Sequence, residues 1–209
     1  MIGLVNYGVG NLRSVENAVR WVGGEVRLVD TAADLDGVNG VILPGVGAFA
    51  AAMTALNESG FSDAIRDWAT VKRRPLLGVC LGMQLLAKES TEGGTVAGIG
   101  VIDARVERIR PDGGARVPHV GWNLVEKRRD SVLWNGNERA TCYFVHSYAL
   151  VFDDPETAER CVIGTTDHGG EIVAMAADDN VMGAQFHPEK SQRDGLDMLA
   201  NFVRVADAW

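Results

Sequence analysis

The sequence is poor in cysteine. Its 209 residues include three, Cys80, Cys142 and Cys161, with no CxxC pair among them. An odd, widely spaced set argues against a disulfide framework and a zinc ribbon, and it fits a reducing compartment. Long apolar runs are missing too: none approaches the ~20 residues that span a bilayer. Met1-Ile-Gly-Leu-Val-Asn6 turns polar too soon for a secretion signal. Net positive charge is absent as well, the formal charge being −8 and the pI about 5.0. That balance argues against a nucleic-acid groove. Lys72-Arg-Arg74 and Lys127-Arg-Arg129 are brief basic clusters of the kind that solvate turns. No linker, repeat or low-complexity tract divides the chain. These absences lead to one soluble, cytoplasmic domain over residues 1–209.

What is present suffices for a core. Hydrophobic residues make up 46% and charged residues 23%, both ordinary for globular proteins. The first half alternates short apolar runs with helical periodicity. Residues 2–5, 26–29, 40–43 and 76–79 read as strands. Helices are expected over 12–22, 48–56, 61–69 and 81–88. Buried strands alternating with helices predict a mainly parallel sheet covered on both faces, a three-layer flavodoxin-like α/β domain. From about Gly100 the rhythm becomes strand after strand, over 101–109, 122–125, 141–151, 161–165, 172–176 and 181–186. This predicts an antiparallel extension, closed by a helix over 192–206.

The chemistry centres on Gly78-Val-Cys80-Leu-Gly82, which has the form of a nucleophile elbow. A residue on a sharp strand-to-helix turn is strained, and its neighbours must lack side chains to pack so closely. The following helix would favour the thiolate, and its first N–H, from Leu81, would face an oxyanion. Gln84, one turn along, either reaches the mouth of the site or is an exposed helix residue. An isolated cysteine is more often plain core, so the elbow needs a base.

Four histidines are available: His119, His146, His168 and His187. His187 follows the last strand, so it shares a rim with Cys80 if the two strands are neighbours. Glu189, two residues on in extended chain, can hold the other ring nitrogen. His146 reads as a strand histidine satisfied by a carbonyl, and His168 as a turn residue. Asp153-Asp154 and Asp178-Asp-Asn180 read as turns, and no residue set has metal-ligand spacing. Asn6-Tyr-Gly-Val-Gly-Asn11 imitates a phosphate loop, but Arg13 stands where the third glycine belongs.

Taken together, several segments resemble the class I glutamine amidotransferases. The family-wide part is Gly78-Val-Cys-Leu-Gly-Met-Gln84 with His187-Pro-Glu189. Five more segments resemble the glutaminase subunits of imidazole glycerol phosphate synthase: Asn6–Asn11, Leu43–Phe49, Val117–Asn123, Tyr143–Tyr148 and His187–Ser191. The resemblance implies hydrolysis of glutamine to glutamate and ammonia, with Cys80 as nucleophile, His187 as acid and base, and Glu189 as its orienter. It implies oxyanion donors from the backbone of Leu81 and of Val46 or Gly47. Gly47, Gln84, His146, Ser147 and Tyr148 would embrace the glutamine.

No cofactor or metal is implied. A separate (β/α)8 cyclase partner is, using the ammonia to make imidazole glycerol phosphate and AICAR in histidine biosynthesis. Asn11, Trp122 and Lys190 match positions that face that partner, although Trp122 also suits a core. Two other readings stay open from the residues alone. One is a stand-alone cysteine hydrolase of peptidase type, which often draws its histidine from beside the elbow. The other is a binding module in which Cys80 is only packing; it leaves the two glycines and His187-Pro-Glu189 unexplained.

Overall fold

A computed structural model describes residues 1–134 and 136–209. In chain order the elements begin with β1 (Ile2–Val5), α1 (Leu12–Trp21), β2 (Val26–Val29) and β3 (Gly40–Leu43). Next come α2 (Phe49–Glu58), α3 (Phe61–Thr70), β4 (Leu76–Val79) and α4 (Leu81–Leu85). A run of strands follows: β5 (Ala87–Ser90), β6 (Val96–Ala97), β7 (Ile102–Arg108), β8 (His119–Lys127), β9 (Arg139–His146) and β10 (Tyr148–Val151). The chain ends with α5 (Pro155–Cys161), β11 (Val162–Asp167), β12 (Glu171–Asp178), β13 (Val181–Ala184) and α6 (Gln192–Ala208).

The described residues form one long sheet in the order β2-β1-β3-β4-β13-β12-β11-β8-β9. Its first five strands are parallel and the remaining ladders antiparallel. The inner parallel strands β1, β3, β4 and β13 are buried at every position, as continuous apolar runs require, whereas the edge strand β2 is buried only at Val26 and Val29. Successive side chains enter different cores. Val41, Leu43 and Leu76 pack with Phe49, Phe61 and Trp68 of α2 and α3. Ile42, Leu77 and Val79 pack with Val15 and Val19 of α1 and Leu199 and Phe202 of α6. The result is the expected mainly parallel three-layer sheet with an antiparallel extension.

Three expectations change. The helix over 81–88 stops after Leu85, and Ala87 starts a strand that pairs with β7. The strand expected over 141–151 is two, broken at Ser147: β9 belongs to the long sheet and β10 to a second sheet, β10-β7-β5-β6. Residues 155–161 form a helix that hydrophobic periodicity passes over, capped by the Asp154 carboxylate on Thr157 N–H at 2.9 Å.

Candidate active site

β4 delivers Cys80 to the sheet's carboxyl rim, where the backbone turns sharply into α4. Cys80 has φ +53°, a left-handed value costly for a side-chain-bearing residue. Its N–H is tied to the Ala184 carbonyl of β13 at 2.8 Å. The flanking glycines are required by contact. A Cβ on Gly78 would lie 2.6 Å from the Met83 Cα, and one on Gly82 would overlap the Leu43 carbonyl oxygen. The nucleophile turn thus sits directly on the end of β3. A five-residue α4 supplies far less dipole than the expected longer helix. What survives is the Leu81 N–H, which as the first helical residue has no partner within the helix.

β13 lies beside β4, with Ala184 opposite Val79, so the chain after β13 reaches the same rim. The strand ends three residues before His187, whose N–H is held by the Tyr143 carbonyl at 3.0 Å. Its own carbonyl accepts from Ser191 Oγ at 2.6 Å. Residues Pro188–Lys190 form a 3-10 turn, not extended chain, and this turn brings Glu189 Oε1 to 2.9 Å from His187 Nδ1. Both side chains are buried, and His187 Nε2 and Glu189 Oε2 have no hydrogen-bond partner among the described residues. Burial alone would strip the proton from His187. The neighbouring Cys80, and Glu189 bonded to Nδ1, outweigh it and lift the imidazole to about 9.

A cavity of about 270 Å³ opens over the sulfur, lined by Cys80, Leu81, Gln84 and His187 on the rim side. Val46 and Gly47 form a second wall, and His146, Ser147 and Tyr148 a third. Gly47 has φ +94°, and the turn before it is pinned by the Tyr7 hydroxyl, which donates to the Pro44 carbonyl at 2.9 Å. Gln84 is buried, not exposed; its Nε2 donates to the Tyr148 carbonyl at 2.8 Å and to Gln185 Oε1 at 2.9 Å. Both amide protons are thereby used, which leaves Gln84 Oε1 for a donor in the cavity. His146 is engaged at both nitrogens, one by the Tyr148 carbonyl and one by His119, so it is no free base.

The Glutamine amidotransferase class-I family model matches residues 4–206. The imidazole glycerol phosphate synthase subunit HisH of Symbiobacterium thermophilum is 46% identical over 205 residues, covering 98% of this chain and 93% of that one. The subunit of the same name from Moorella thermoacetica is 45% identical, covering 96% and 93%. The chain belongs to the class I glutamine amidotransferases, in their HisH branch. One solved glutamine amidotransferase matches with a TM-score of 0.75 at 23% identity, covering 99% of this chain and 98% of that one, which supports the amidotransferase fold.

The amidotransferase cavity also has walls that the sequence alone did not mark. Glu92 lines it while accepting the Phe49 N–H at 2.9 Å. Pro118 and Val145 line it too, and the Val145 carbonyl lies 3.9 Å from Cys80 Sγ. Gln185 Nε2 stands at the same distance from the sulfur. Pro118 and Val145 lie within the resembling segments 117–123 and 143–148 but are not marked there as cavity walls, and Glu92 and Gln185 lie outside every resembling segment. The other thiols differ from Cys80 in setting. Burial pushes Cys142 up to about 12 and raises Cys161 as well.

The three residues expected to face a partner lie outside the cavity. Trp122 is 48% exposed, which removes the core reading. Its ring meets Tyr143 edge-on at 5.7 Å, and Lys190 Nζ stands 5.9 Å from the Tyr143 ring. Trp122 and Lys190 therefore share one patch through Tyr143. Asn11 is exposed and caps α1 through Ser14 N–H.

Proposed function

We propose that this amidotransferase is the glutaminase subunit of an imidazole glycerol phosphate synthase and works through Cys80, His187 and Glu189. One observation carries the reading: the strained Cys80 elbow and the buried His187–Glu189 pair meet at one cavity.

His187 Nε2 holds the proton given up by the thiol while the sulfur attacks the side-chain amide carbon of glutamine. The oxyanion so formed meets the Leu81 N–H and a backbone N–H of Val46 or Gly47. His187 returns the proton to the departing ammonia, leaving a thioester. A water, deprotonated by His187, then hydrolyses the thioester to glutamate and regenerates the thiol. Glu189 keeps the ring oriented throughout. Gly47, Gln84, His146, Ser147 and Tyr148 enclose the substrate, and the Glu92 carboxylate suits its α-ammonium group.

The ammonia goes to a separate (β/α)8 cyclase, which docks on the patch of Trp122, Tyr143 and Lys190 and also reaches Asn11 at the start of α1. Support for this comes from the exposed apolar side chains Val120, Leu124 and Val145 that continue the patch on β8 and β9. Residues 1–209 act as one amidotransferase domain, and the three free, buried cysteines suit a cytoplasmic setting.

The test is glutamate release from glutamine by wild type and Cys80→Ala, each with and without the cyclase and its ligand. Slow turnover alone, a large rise with the liganded partner and none for Cys80→Ala is the expected pattern. Undiminished turnover by Cys80→Ala ends the nucleophile assignment. Strong turnover that ignores the partner favours a stand-alone hydrolase.

A further inference from the structure

Behind His146, outside the cavity wall, lies a hydrogen-bonded chain that the proposed reaction does not use. It joins Asn123 and His119 of β8 to His146 of β9, where His119 and His146 are directly opposite. The direction of every bond follows from its two ends. Asn123 Oδ1 accepts the Leu124 N–H at 2.8 Å, and Asn123 Nδ2 donates to the Asp167 carbonyl at 2.7 Å. The second Nδ2 proton points at His119 Nε2, 3.2 Å away, so that ring nitrogen accepts. At the other end His146 Nδ1 lies 2.9 Å from the Tyr148 carbonyl, which accepts only; Nδ1 therefore carries the proton. Between them His119 Nδ1 and His146 Nε2 are 3.0 Å apart. With both rings neutral, the first donates and the second accepts.

The setting favours neutrality. His119 is buried and stacked between Phe144 and His168, at centroid distances of 4.6 and 4.1 Å. Burial and the neighbouring histidines depress His119 to about 3, and burial depresses His146 to about 4. The chain ends on an element of the cavity, because the Tyr148 carbonyl also receives the Gln84 amide at 2.8 Å.

We propose that His119 is a positioning residue: its Nδ1–H locks His146 in the Nδ1–H form, and through it fixes the Tyr148 carbonyl and the Gln84 amide. His119 does not line the cavity and reaches it only through His146. Without its proton, His146 Nε2 has no donor and the ring is free to change tautomer. The Tyr148 carbonyl then loses one of its two donors, and Gln84 loses a fixed partner. The consequence for glutamine rests on the glutaminase reading, whereas the tautomer does not.

Nitrogen-15 NMR of the imidazoles in the wild-type chain tests the tautomer directly. Both His119 and His146 are expected to be protonated at Nδ1 and bare at Nε2 at neutral pH. An Nε2–H signal for His146 overturns the proposal. The second arm measures glutamine affinity calorimetrically in a Cys80→Ala background. His119→Phe keeps the stacked ring but has no donor, and is expected to weaken binding about tenfold, the scale of one buried hydrogen bond. In His119→Asn the amide nitrogen is as many bonds from Cα as Nδ1 is; it should restore affinity to within about threefold. Equal affinities in the parent and His119→Phe, or no rescue by His119→Asn, reject the positioning role. If the Cys80→Ala parent binds no glutamine at all, the glutaminase reading fails, and the NMR result still decides the tautomer.

Discussion

The two halves of the long sheet are built to different rules. In the parallel half, β2-β1-β3-β4-β13, both faces are covered and every strand residue of the inner strands is apolar or glycine. In the antiparallel half, β12-β11-β8-β9, one face of β8 and β9 holds His119, His146 and Phe144, and the opposite face shows Val120, Trp122 and Val145 to solvent. The first half fixes atoms by crowding, the second by directed hydrogen bonds. Cys80 gets its strained backbone from glycines that press against neighbouring main chain. The cavity walls at His146 and Tyr148 get their positions from a bonded chain. A site assembled at the seam draws its nucleophile from one rule and its enclosure from the other.

That contrast is open to attack at several points. The largest effect is expected from Glu189→Gln, which should cut glutamine turnover about 10³-fold with the partner present, as loss of a triad orienter does. Cys142→Ala, a buried thiol on the antiparallel side, should stay within about twofold of wild type. Gly82→Ala is next, because its methyl meets the Leu43 carbonyl. Urea unfolding should show a loss of about 3 kcal/mol or more. Gly121→Ala in β8, where φ is +132° but no atom crowds the site, should cost about 1 kcal/mol. Equal losses at the two glycines would erase the distinction between crowded and uncrowded halves.

Trp122→Ala should leave the chain's own stability within about 0.5 kcal/mol and weaken the cyclase complex by about 2 kcal/mol, measured by titration calorimetry. The smallest effect concerns acid. The folded-state values of His119 and His146 are depressed, so their neutral forms support the fold fully above about pH 6.5, and that support fades as pH falls toward 4. Unfolding free energies from urea titrations should drop between pH 7 and pH 5.5 by about 1 kcal/mol per histidine. His119→Phe should flatten that dependence. His187 runs the other way: its raised value supports the fold below pH 6.5 and the support is lost as pH passes about 9.

The same division governs what could be read without coordinates. The strands over 2–5, 26–29, 40–43 and 76–79 coincide with β1 to β4; for β1, β3 and β4 this is because a fully buried strand is a continuous apolar run closed by turn residues. Continuity misleads where it crosses a boundary. Leu85-Leu-Ala87 is apolar throughout, so nothing local marks the change from α4 to β5. Ser147 breaks β9 from β10 only because the two strands join different sheets. α5 carried a legible start, Asp154 followed by Pro155 and Glu156, which lost out to the surrounding strand rhythm. Cys80, His187 and Glu189 stood out because their neighbours are unusual. Glu92, Gln185 and the partnership of His119 with His146 did not, since register between distant strands decides what those side chains meet.

Val145 has one further consequence. Its carbonyl faces the Cys80 sulfur, while its side chain lies partly in solvent beside Trp122. On the side of Trp122, one strand therefore lies between the proposed site of ammonia release and the exposed face. Ammonia is small, neutral before it meets bulk water, and quick to pick up a proton there and stop being useful as a nucleophile. A wall this thin makes the uncovered subunit a poor container. On the proposed function, its idle rate, more than its peak rate, decides how much nitrogen is lost before the cyclase covers this face.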